Sequence, residues 1–166
     1  MSRGSLCSHP KDGASEDLLH LDGQLCFRLY AASRLITRLY QPLLDPLGLT
    51  YPQYIVLMIL WADAPCPVSH LCERALLNTN TLTPLLKRLE LQGLVKRQRR
   101  HEDERVVEIH LTESGRALRA RCASVPAELA GMAHLSIEKA AALAQLLDEL
   151  LTELRKQVLE GAVHVK

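Results

Sequence analysis

Apolar residues recur at helical spacing along most of this chain. Over residues 18–44 they fall at intervals of three or four, which predicts one long amphipathic helix. Pro42 and Pro46 stand near its end and are expected to stop or kink it. Residues 53–62 are almost wholly apolar, so the helix predicted there should be buried on most of its sides.

The middle of the chain combines helical and alternating patterns. Two short helices are predicted over residues 68–76 and 81–92, joined by a polar turn at 77–80 that offers good N-cap residues. Two alternating segments follow at 94–100 and 106–112, separated by a charged turn, and they predict two paired strands. Helix, turn, helix and two-stranded hairpin is the order of elements in a winged helix-turn-helix.

The C-terminal part is predicted to be helical again. A helix should start at residue 113 with Thr112 as its cap, Pro126 should interrupt the region, and Ser136 should cap a final helix. Four leucines of that helix repeat at four-three-four spacing, namely Leu143, Leu147, Leu150 and Leu154. Such a seam packs on a partner helix. It could pack on the chain's own core, but we favour a dimer interface because the first helix also lacks an obvious partner within the chain.

These patterns predict a mostly α fold with a small two-stranded β wing, which is a winged helix-turn-helix flanked by N- and C-terminal dimerisation helices. The predicted organisation has four parts. They are a flexible tail at 1–17, an N-terminal helical dimerisation segment at 18–50, a winged helix-turn-helix DNA-binding domain at 51–116 and C-terminal dimerisation helices at 117–166.

Composition limits where a nucleic-acid site can lie. The formal net charge of the 166 residues is only +1, so binding must come from a local patch. Residues 87–100 provide one, because they hold six lysines and arginines against a single acid, Glu90. No apolar run is long enough to cross a bilayer, and the first residues lack the apolar stretch of a signal peptide. We therefore expect a cytoplasmic protein with no membrane partner.

The predicted DNA-binding residues fall into two main groups. The first group has short polar side chains at the start of the second short helix, and the second group has basic side chains further along the chain. The polar groups can reach base edges in a major groove, and the basic groups can contact phosphates. At the hairpin tip an ion pair from an aspartate could hold an arginine that enters the minor groove. The set is Asn78, Thr79, Asn80, Thr81, Thr83, Lys87, Arg88, Arg97, Arg99, Asp103 and Arg105.

Several of these residues belong to longer motifs. The run TLTPLLKRLE at 81–90, Gly-Leu-Val at 93–95, Asp-Glu-Arg at 103–105 and Leu-Thr-Glu-Ser-Gly-Arg at 111–116 together resemble the MarR family of bacterial regulators. The resemblance implies one winged helix in each subunit and a homodimer formed by the terminal helices. Such a dimer would bind double-stranded, pseudo-palindromic operator DNA, and it would not be an enzyme.

A finer resemblance lies upstream. LDGQLCFRLY at 21–30 and LTYPQY at 49–54 are similar to the organic hydroperoxide resistance regulators of that family. This resemblance implies that Cys26 is the sensing cysteine and that Tyr40 and Tyr51 contact it from the other subunit. The thiolate is the reactive form of cysteine, and tyrosine hydroxyls can donate hydrogen bonds to it without adding charge. Oxidation of Cys26 to a sulfenic acid by an organic hydroperoxide would then release the DNA, with no cofactor required.

The second cysteine of two-cysteine members has no direct counterpart, because Gly131 falls at that place. Cys122 is the nearest candidate for a resolving cysteine. Cys7 on the tail, or a small cellular thiol, are the alternatives. The five cysteines are odd in number and irregular in spacing, which favours free thiols in a reducing compartment.

Three other functions remain open from the sequence. A regulator of the same fold could respond to a small aromatic acid bound between its dimerisation and DNA-binding regions, without cysteine chemistry. A thiol peroxidase would share the first chemical step, but nothing around Cys26 suggests turnover. A zinc-responsive regulator could use Cys66, His70 and Cys72, although their spacing is not that of a standard zinc site.

Overall fold

The computed structural model describes residues 20–100 and 105–164, and side chains as far as residue 158. Within these ranges seven α-helices and three strands follow one another along the chain. The helices are α1 (Leu25–Leu44), α2 (Tyr51–Asp63), α3 (Val68–Ala75), α4 (Thr79–Leu91), α5 (Glu113–Arg121), α6 (Val125–Ala133) and α7 (Ile137–His164), and the strands are β1 (Cys66–Pro67), β2 (Val95–Arg99) and β3 (Val107–Leu111).

The chain divides into two compact units, Met1–Arg38 and Leu39–Lys166. In the first unit the long helix starts later than the sequence predicts, at Leu25 rather than near residue 18. Residues Leu21–Gly23 form a separate 3-10 turn, in which the Gly23 amide donates to the His20 carbonyl at 3.1 Å. Gln24 is extended (ψ 122°), so the two helical segments cannot be continuous.

The end of α1 lies in the second unit and corrects one expectation about proline. Pro42 lies inside the helix, which continues to Leu44. Pro42 therefore does not itself stop the helix, which ends two residues later at Leu44, where the sequence predicts its end. Pro46 belongs to the following 3-10 turn, Asp45–Leu47, and Gly48 caps that turn in the left-handed region at φ 70°.

Helix α2 is the centre of the core in the second unit, as its apolar sequence predicts. Val56, Leu57 and Leu60 are almost completely buried, together with the inward leucines of α4. The helix starts at a capping box, because the Thr50 amide donates to Oε1 of Gln53 at 2.8 Å and the Thr50 side chain accepts from the N3 backbone amide. Gln53 is buried while it makes this bond, so its polar group is satisfied.

The sheet has three antiparallel strands in the order β1-β3-β2, which is one strand more than the two that the sequence predicts. The additional strand comes from a segment that the sequence treated only as a helix break. Pro65 and Pro67 exclude a helix there, which leaves Cys66 extended and paired with Ile109. The strands of the wing itself are in register from Val95 opposite Leu111 to Arg99 opposite Val107.

The remaining helices agree with the sequence in place, and one of them differs in its starting point. Helix α4 begins at Thr79, two residues earlier than expected, because Asn78 is the residue that caps it. The C-terminal region is interrupted as predicted, between the end of α5 at Arg121 and the start of α6 at Val125. Pro126 occupies the first turn of α6, where its missing N–H costs nothing. Thr112 caps α5 as predicted, with its hydroxyl accepting from the Gly115 amide at 3.0 Å.

Gly115 lies where α5 packs closely on the residue that precedes β2. A Cβ atom at this position would collide with the carbonyl oxygen of Leu94, so only glycine permits this approach of α5 to the start of β2. The Gly115 carbonyl also accepts a hydrogen bond of 2.9 Å from Nε1 of Trp61. One residue thus joins α5, the wing and α2.

Among the described residues no single helix is both long and apolar enough to span a membrane. One bent pair, Leu25–Leu47 with Tyr51–Asp63, passes the same test of length and composition together, with an angle of 73° between its halves.

Candidate nucleic-acid interface and thiol site

The first turn of α4 holds the polar residues predicted to reach DNA bases. Asn78 Oδ1 accepts from both the amide and the hydroxyl of Thr81, each at 2.9 Å, so this oxygen already serves as the helix cap. The Thr83 hydroxyl donates to the Thr79 carbonyl at 2.8 Å. Asn80 is exposed and is the amide side chain of the turn that is not used in capping.

The basic residues of the predicted patch fall into two groups. Lys87, Arg88 and Arg99 are exposed and form no ion pair within residues 20–100 and 105–158. Arg97 and Arg100 instead contact acids of the same unit. Arg97 Nη2 lies 2.6 Å from Glu90 Oε2, and Arg100 Nη2 lies 2.7 Å from an oxygen of Glu108. The positive charge open to a ligand is therefore smaller than the charge count along the sequence.

The sequence predicts an ion pair between Asp103 and Arg105 at the tip of the hairpin. Asp103 lies outside the described residues, and Arg105 is exposed. Arg105 therefore stays a candidate for minor-groove contact.

The two tyrosines singled out by the resemblance lie against each other in the second unit. The ring centroids of Tyr40 and Tyr51 are 4.5 Å apart. Tyr54 lies 5.9 Å from Tyr40, and Trp61 continues the cluster edge-on, 6.2 Å from Tyr54. This aromatic cluster, which consists of Tyr40, Tyr51, Tyr54 and Trp61, connects the end of α1 to the whole length of α2.

The environment raises the pKa of two phenols of this cluster, Tyr40 and Tyr54. Burial raises the pKa of Tyr40, and the neighbouring Tyr51 and Tyr54 raise it further. Burial also raises the pKa of Tyr54, with added contributions from Cys122 and Tyr51. The Tyr40 and Tyr54 hydroxyls therefore remain hydrogen-bond donors at neutral pH and somewhat above it.

The predicted sensing cysteine is accessible. Cys26 is a free, exposed thiol and the second residue of α1. The first-turn amides of a helix have no acceptor within it, and they favour negative charge nearby. Cys26 belongs to the first unit, whereas Tyr40 and Tyr51 belong to the second.

Cys122, the candidate resolving cysteine, is in a different environment. Its side chain is only 3% exposed, and burial raises the pKa of the thiol against an opposing effect of Arg121. It borders a cleft of about 290 Å³ whose walls include Tyr54 and Met58. Cys7, the alternative, lies outside the described residues, and Gly131 lies within α6.

The residues of the zinc hypothesis are engaged elsewhere. Cys66 is buried in β1, and His70 Nε2 lies 2.7 Å from Asp63 Oδ2. Cys72 Sγ lies 3.7 Å from the Thr79 hydroxyl oxygen. In the part of the chain that the structure describes, no three His, Cys, Asp or Glu side chains are arranged to hold a metal ion.

A second cleft of about 320 Å³ was not found by reading the sequence. It lies between α2, β3 and α5, and Trp61, His110, Arg116 and Arg119 are among the residues that line it. The spacing of Arg116 and Arg119 places both on one face of α5, which is the signal in the sequence that could have indicated it. An aromatic wall with cations beside it suits a small organic anion.

Comparison with known proteins identifies relatives of this arrangement. The family model described as transcriptional regulator SarA/Rot matches residues 38–121. The organic hydroperoxide resistance transcriptional regulator of Bacillus subtilis (strain 168) is 44% identical over 141 residues, which cover 85% of this chain and 96% of the relative. The transcriptional regulator TtmR of Methylorubrum extorquens is 42% identical, and the match covers 84% of this chain and 71% of TtmR.

Solved structures give the same result for the fold. The structure of reduced AbfR bound to DNA has a TM-score of 0.65 and 36% identity, and the match covers 81% of this chain and 94% of AbfR. A crystal structure of AbfR of Staphylococcus epidermidis has a TM-score of 0.69 with 34% identity over 82% of this chain and 94% of AbfR. These neighbours are winged-helix regulators, in agreement with the predicted fold class.

Proposed function

This chain belongs to the MarR family of winged-helix transcriptional regulators, and on that premise we propose that it is a redox-sensing repressor. It binds pseudo-palindromic operator DNA as a homodimer and releases it when an organic hydroperoxide oxidises Cys26. The observation that carries the proposal is the Tyr40–Tyr51 pair at 4.5 Å. Both phenols are those expected at the sensing thiol, in a chain that is 44% identical to an organic hydroperoxide resistance regulator.

DNA binding is supported by the exposed surface around α4. Asn80, Lys87 and Arg88 are exposed on the second helix of the helix-turn-helix, which enters the major groove in proteins of this fold. The exposed Arg99 ends β2 of the wing. The N-terminus of α4 also favours phosphate. AbfR, a neighbour of the same fold, has been solved bound to DNA.

Homodimer formation is supported by apolar surface that this single chain leaves open. On α7, Leu143 and Leu154 of the predicted seam are 48% and 49% exposed. On α1, Leu25 and Leu35 are each 58% exposed. Exposed apolar stripes of this kind mark surfaces that a partner covers. We assign residues 18–50 and 117–166 to dimerisation, and 51–116 to DNA binding.

The redox step is a nucleophilic substitution at oxygen. The Cys26 thiolate attacks the terminal oxygen of the hydroperoxide, the O–O bond breaks, and the sulfur keeps that oxygen as a sulfenic acid. The peroxide leaves as an alkoxide, which takes up a proton to become the alcohol. The sulfur is oxidised by two electrons and the peroxide is reduced by two, so the step needs no metal or cofactor.

The tyrosines connect this step to the DNA. In the dimer, the hydroxyls of Tyr40 and Tyr51 from one subunit donate to the Cys26 thiolate of the other, and these bonds weaken when the thiolate becomes a neutral sulfenic acid. Tyr51 is the first residue of α2, which forms the core beneath the helix-turn-helix. A change of about 1.4 kcal/mol is sufficient to alter DNA affinity tenfold.

The direct test is a mobility-shift assay with and without cumene hydroperoxide. The reduced wild-type chain should retard an operator duplex and release it on oxidation, whereas Cys26→Ser should stay bound. Cys72→Ser is the matched control, because Cys72 is partly exposed but lies on α3, and it should respond like the wild type. Release of DNA by oxidised Cys26→Ser would contradict the proposal.

The second candidate is a regulator of this family that responds to a small aromatic ligand. The specific observation in its favour is the cleft beside Trp61, where Arg116 and Arg119 can attract a carboxylate. Release of DNA from Cys26→Ser by an aromatic acid such as salicylate would favour this function.

A further inference from the structure

The carboxylate of Glu90 joins the recognition helix α4 to the wing. Arg97 Nε and Nη2 both donate to Oε2 of Glu90, at 2.9 and 2.6 Å. The backbone amide of Arg97 donates to Oε1 at 3.3 Å. Glu90 lies in the last turn of α4, and Arg97 is the central residue of β2. Both carboxylate oxygens are thus bound to one residue of the strand.

The position of Arg97 in the hairpin differs from that of the other basic residues of β2. Val95 and Arg97 share one face of the strand, and Val95 is buried there against the core. The Arg97 side chain is 31% exposed and points towards α4, whereas Lys96 on the opposite face is exposed. Two of the donors of the Arg97 guanidinium are already used, so a phosphate would have to compete with Glu90 for it.

We propose that Glu90 and Arg97 are positioning residues, whose ion pair holds the β2–β3 hairpin at a fixed angle to α4 and so places Arg99 and the wing tip on the DNA. The proposal rests on DNA binding by this chain. It gives Arg97 a role that differs from the phosphate contact expected from the charge count.

Two considerations favour positioning over a contribution to overall stability. A partly exposed ion pair adds little to the free energy of unfolding, so its main effect should appear where geometry matters. The side-chain hydrogen bonds from Arg97 also lower the pKa of Glu90, so the pair persists to a more acidic pH than an unpaired glutamate would allow. A rigid hairpin loses less conformational freedom when it binds.

The test uses the sign of the change in affinity. Glu90→Ala removes a negative charge close to the DNA, and by charge alone it should strengthen binding. Loss of the positioning contact should instead weaken it by about three- to tenfold, as expected when one charge-assisted hydrogen-bond pair is lost. The probe is a duplex enriched from a random-sequence pool by the wild-type chain, and fluorescence anisotropy measures the dissociation constant. Glu73→Ala on α3 is the matched control and should bind as tightly as the wild type, or more tightly.

Two further measurements complete the test. The double variant Glu90→Arg with Arg97→Glu restores the ion pair with the two charges exchanged. It should recover most of the DNA affinity that Glu90→Arg or Arg97→Glu loses alone. Hydrogen exchange of Glu90→Ala without DNA should be faster in β2 and β3 than in the wild type, and unchanged in α2. This readout holds even where DNA binding is weak.

The outcomes separate the two proposals. The positioning role is overturned when Glu90→Ala binds the duplex as tightly as the wild type or more tightly. It is also overturned when Arg97→Ala lowers the slope of log affinity against log salt by about 0.9, the value for one phosphate contact, while Glu90→Ala leaves affinity unchanged. A wild-type chain that enriches no duplex would overturn DNA binding itself.

Discussion

The ring centroids of Tyr40 and Tyr51 lie 4.5 Å apart with the ring planes tilted by 32°, although one residue belongs to the end of α1 and the other to the start of α2. The 3-10 turn at Asp45–Leu47 and the left-handed Gly48 reverse the chain between them. The reversal brings the two rings together, and each ring carries a hydroxyl that can donate a hydrogen bond.

Replacement of these hydroxyls tests the site. Tyr40→Phe and Tyr51→Phe keep the ring packing and remove one donor each, so we expect the oxidation of Cys26 by cumene hydroperoxide to slow by about tenfold per change, the value of one hydrogen bond to a charged group. Trapping of the sulfenic acid with dimedone, followed by mass spectrometry, measures the rate. Tyr54→Phe, in the same cluster, is the control and should react like the wild type. Equal rates in all four proteins would contradict the donor role.

The burial of Cys122 leads to a prediction about the oxidised product. A thiol that is 3% exposed and has a raised pKa is a poor nucleophile towards a sulfenic acid. We expect oxidised wild-type protein to contain no Cys26–Cys122 disulfide, and Cys122→Ala to release DNA on oxidation as the wild type does. Peptide mapping under non-reducing conditions checks this, with Cys26→Ser as the blank. Recovery of the linked peptides would make Cys122 the resolving cysteine.

The close packing at Gly115 predicts that addition of one methyl group there lowers the stability of the fold strongly. In Gly115→Ala the new Cβ would collide with the Leu94 carbonyl oxygen, which is backbone and cannot move aside cheaply, so the free energy of unfolding should fall by about 2–4 kcal/mol. Urea denaturation followed by circular dichroism measures it. Gly131→Ala is the control, because nothing lies within 4 Å of its added Cβ and alanine favours the helix by up to about 1 kcal/mol. Equal stability of both variants would show that α5 can shift freely.

Stability should decrease in alkali. Burial raises the pKa of Cys66 and Cys122 above the ordinary value of 9.0, and that of Tyr40 and Tyr54 above 10.0. The unfolded chain therefore loses these protons first, so the contribution to stability is complete below pH 9 and declines as the pH rises through the folded-state values. Thermal unfolding between pH 7 and 11 should show a falling midpoint, and the fall should be smaller in Tyr40→Phe. A midpoint constant to pH 11 would contradict this assignment.

The sequence predicted the helices and the wing well because their periodicity and caps are local signals. Thr112 and the apolar run of α2 were sufficient to place two elements nearly to the residue. The third strand was missed because a two-residue strand has no periodicity, and its pairing with Ile109 arises only when distant segments meet. The start of α4 was missed by two residues because several cap residues compete at 77–80, and only the structure selects Asn78.

The site was predicted less completely than the fold, for a physical reason. The proximity of Tyr40 and Tyr51 came from resemblance, since neither spacing nor composition contains the chain reversal at Gly48. The charge count along the sequence also treated every arginine of residues 87–100 as free to bind DNA. Whether Arg97 meets Glu90 or solvent depends on the side-chain direction in a strand beside a helix end, which a linear charge count does not contain.

The short strand at Cys66 has a mechanical consequence. Cys66–Pro67 leads directly into α3 and pairs with β3. The helix-turn-helix and the hairpin are therefore connected through β1, and we expect them to move as one rigid body. We therefore expect a displacement at the N-terminal end of α2 to change little within the winged helix of one subunit. In the proposed dimer, such a displacement would change the distance and angle between the two winged helices. We therefore expect oxidation to weaken DNA binding because the two winged helices no longer match the half-site spacing.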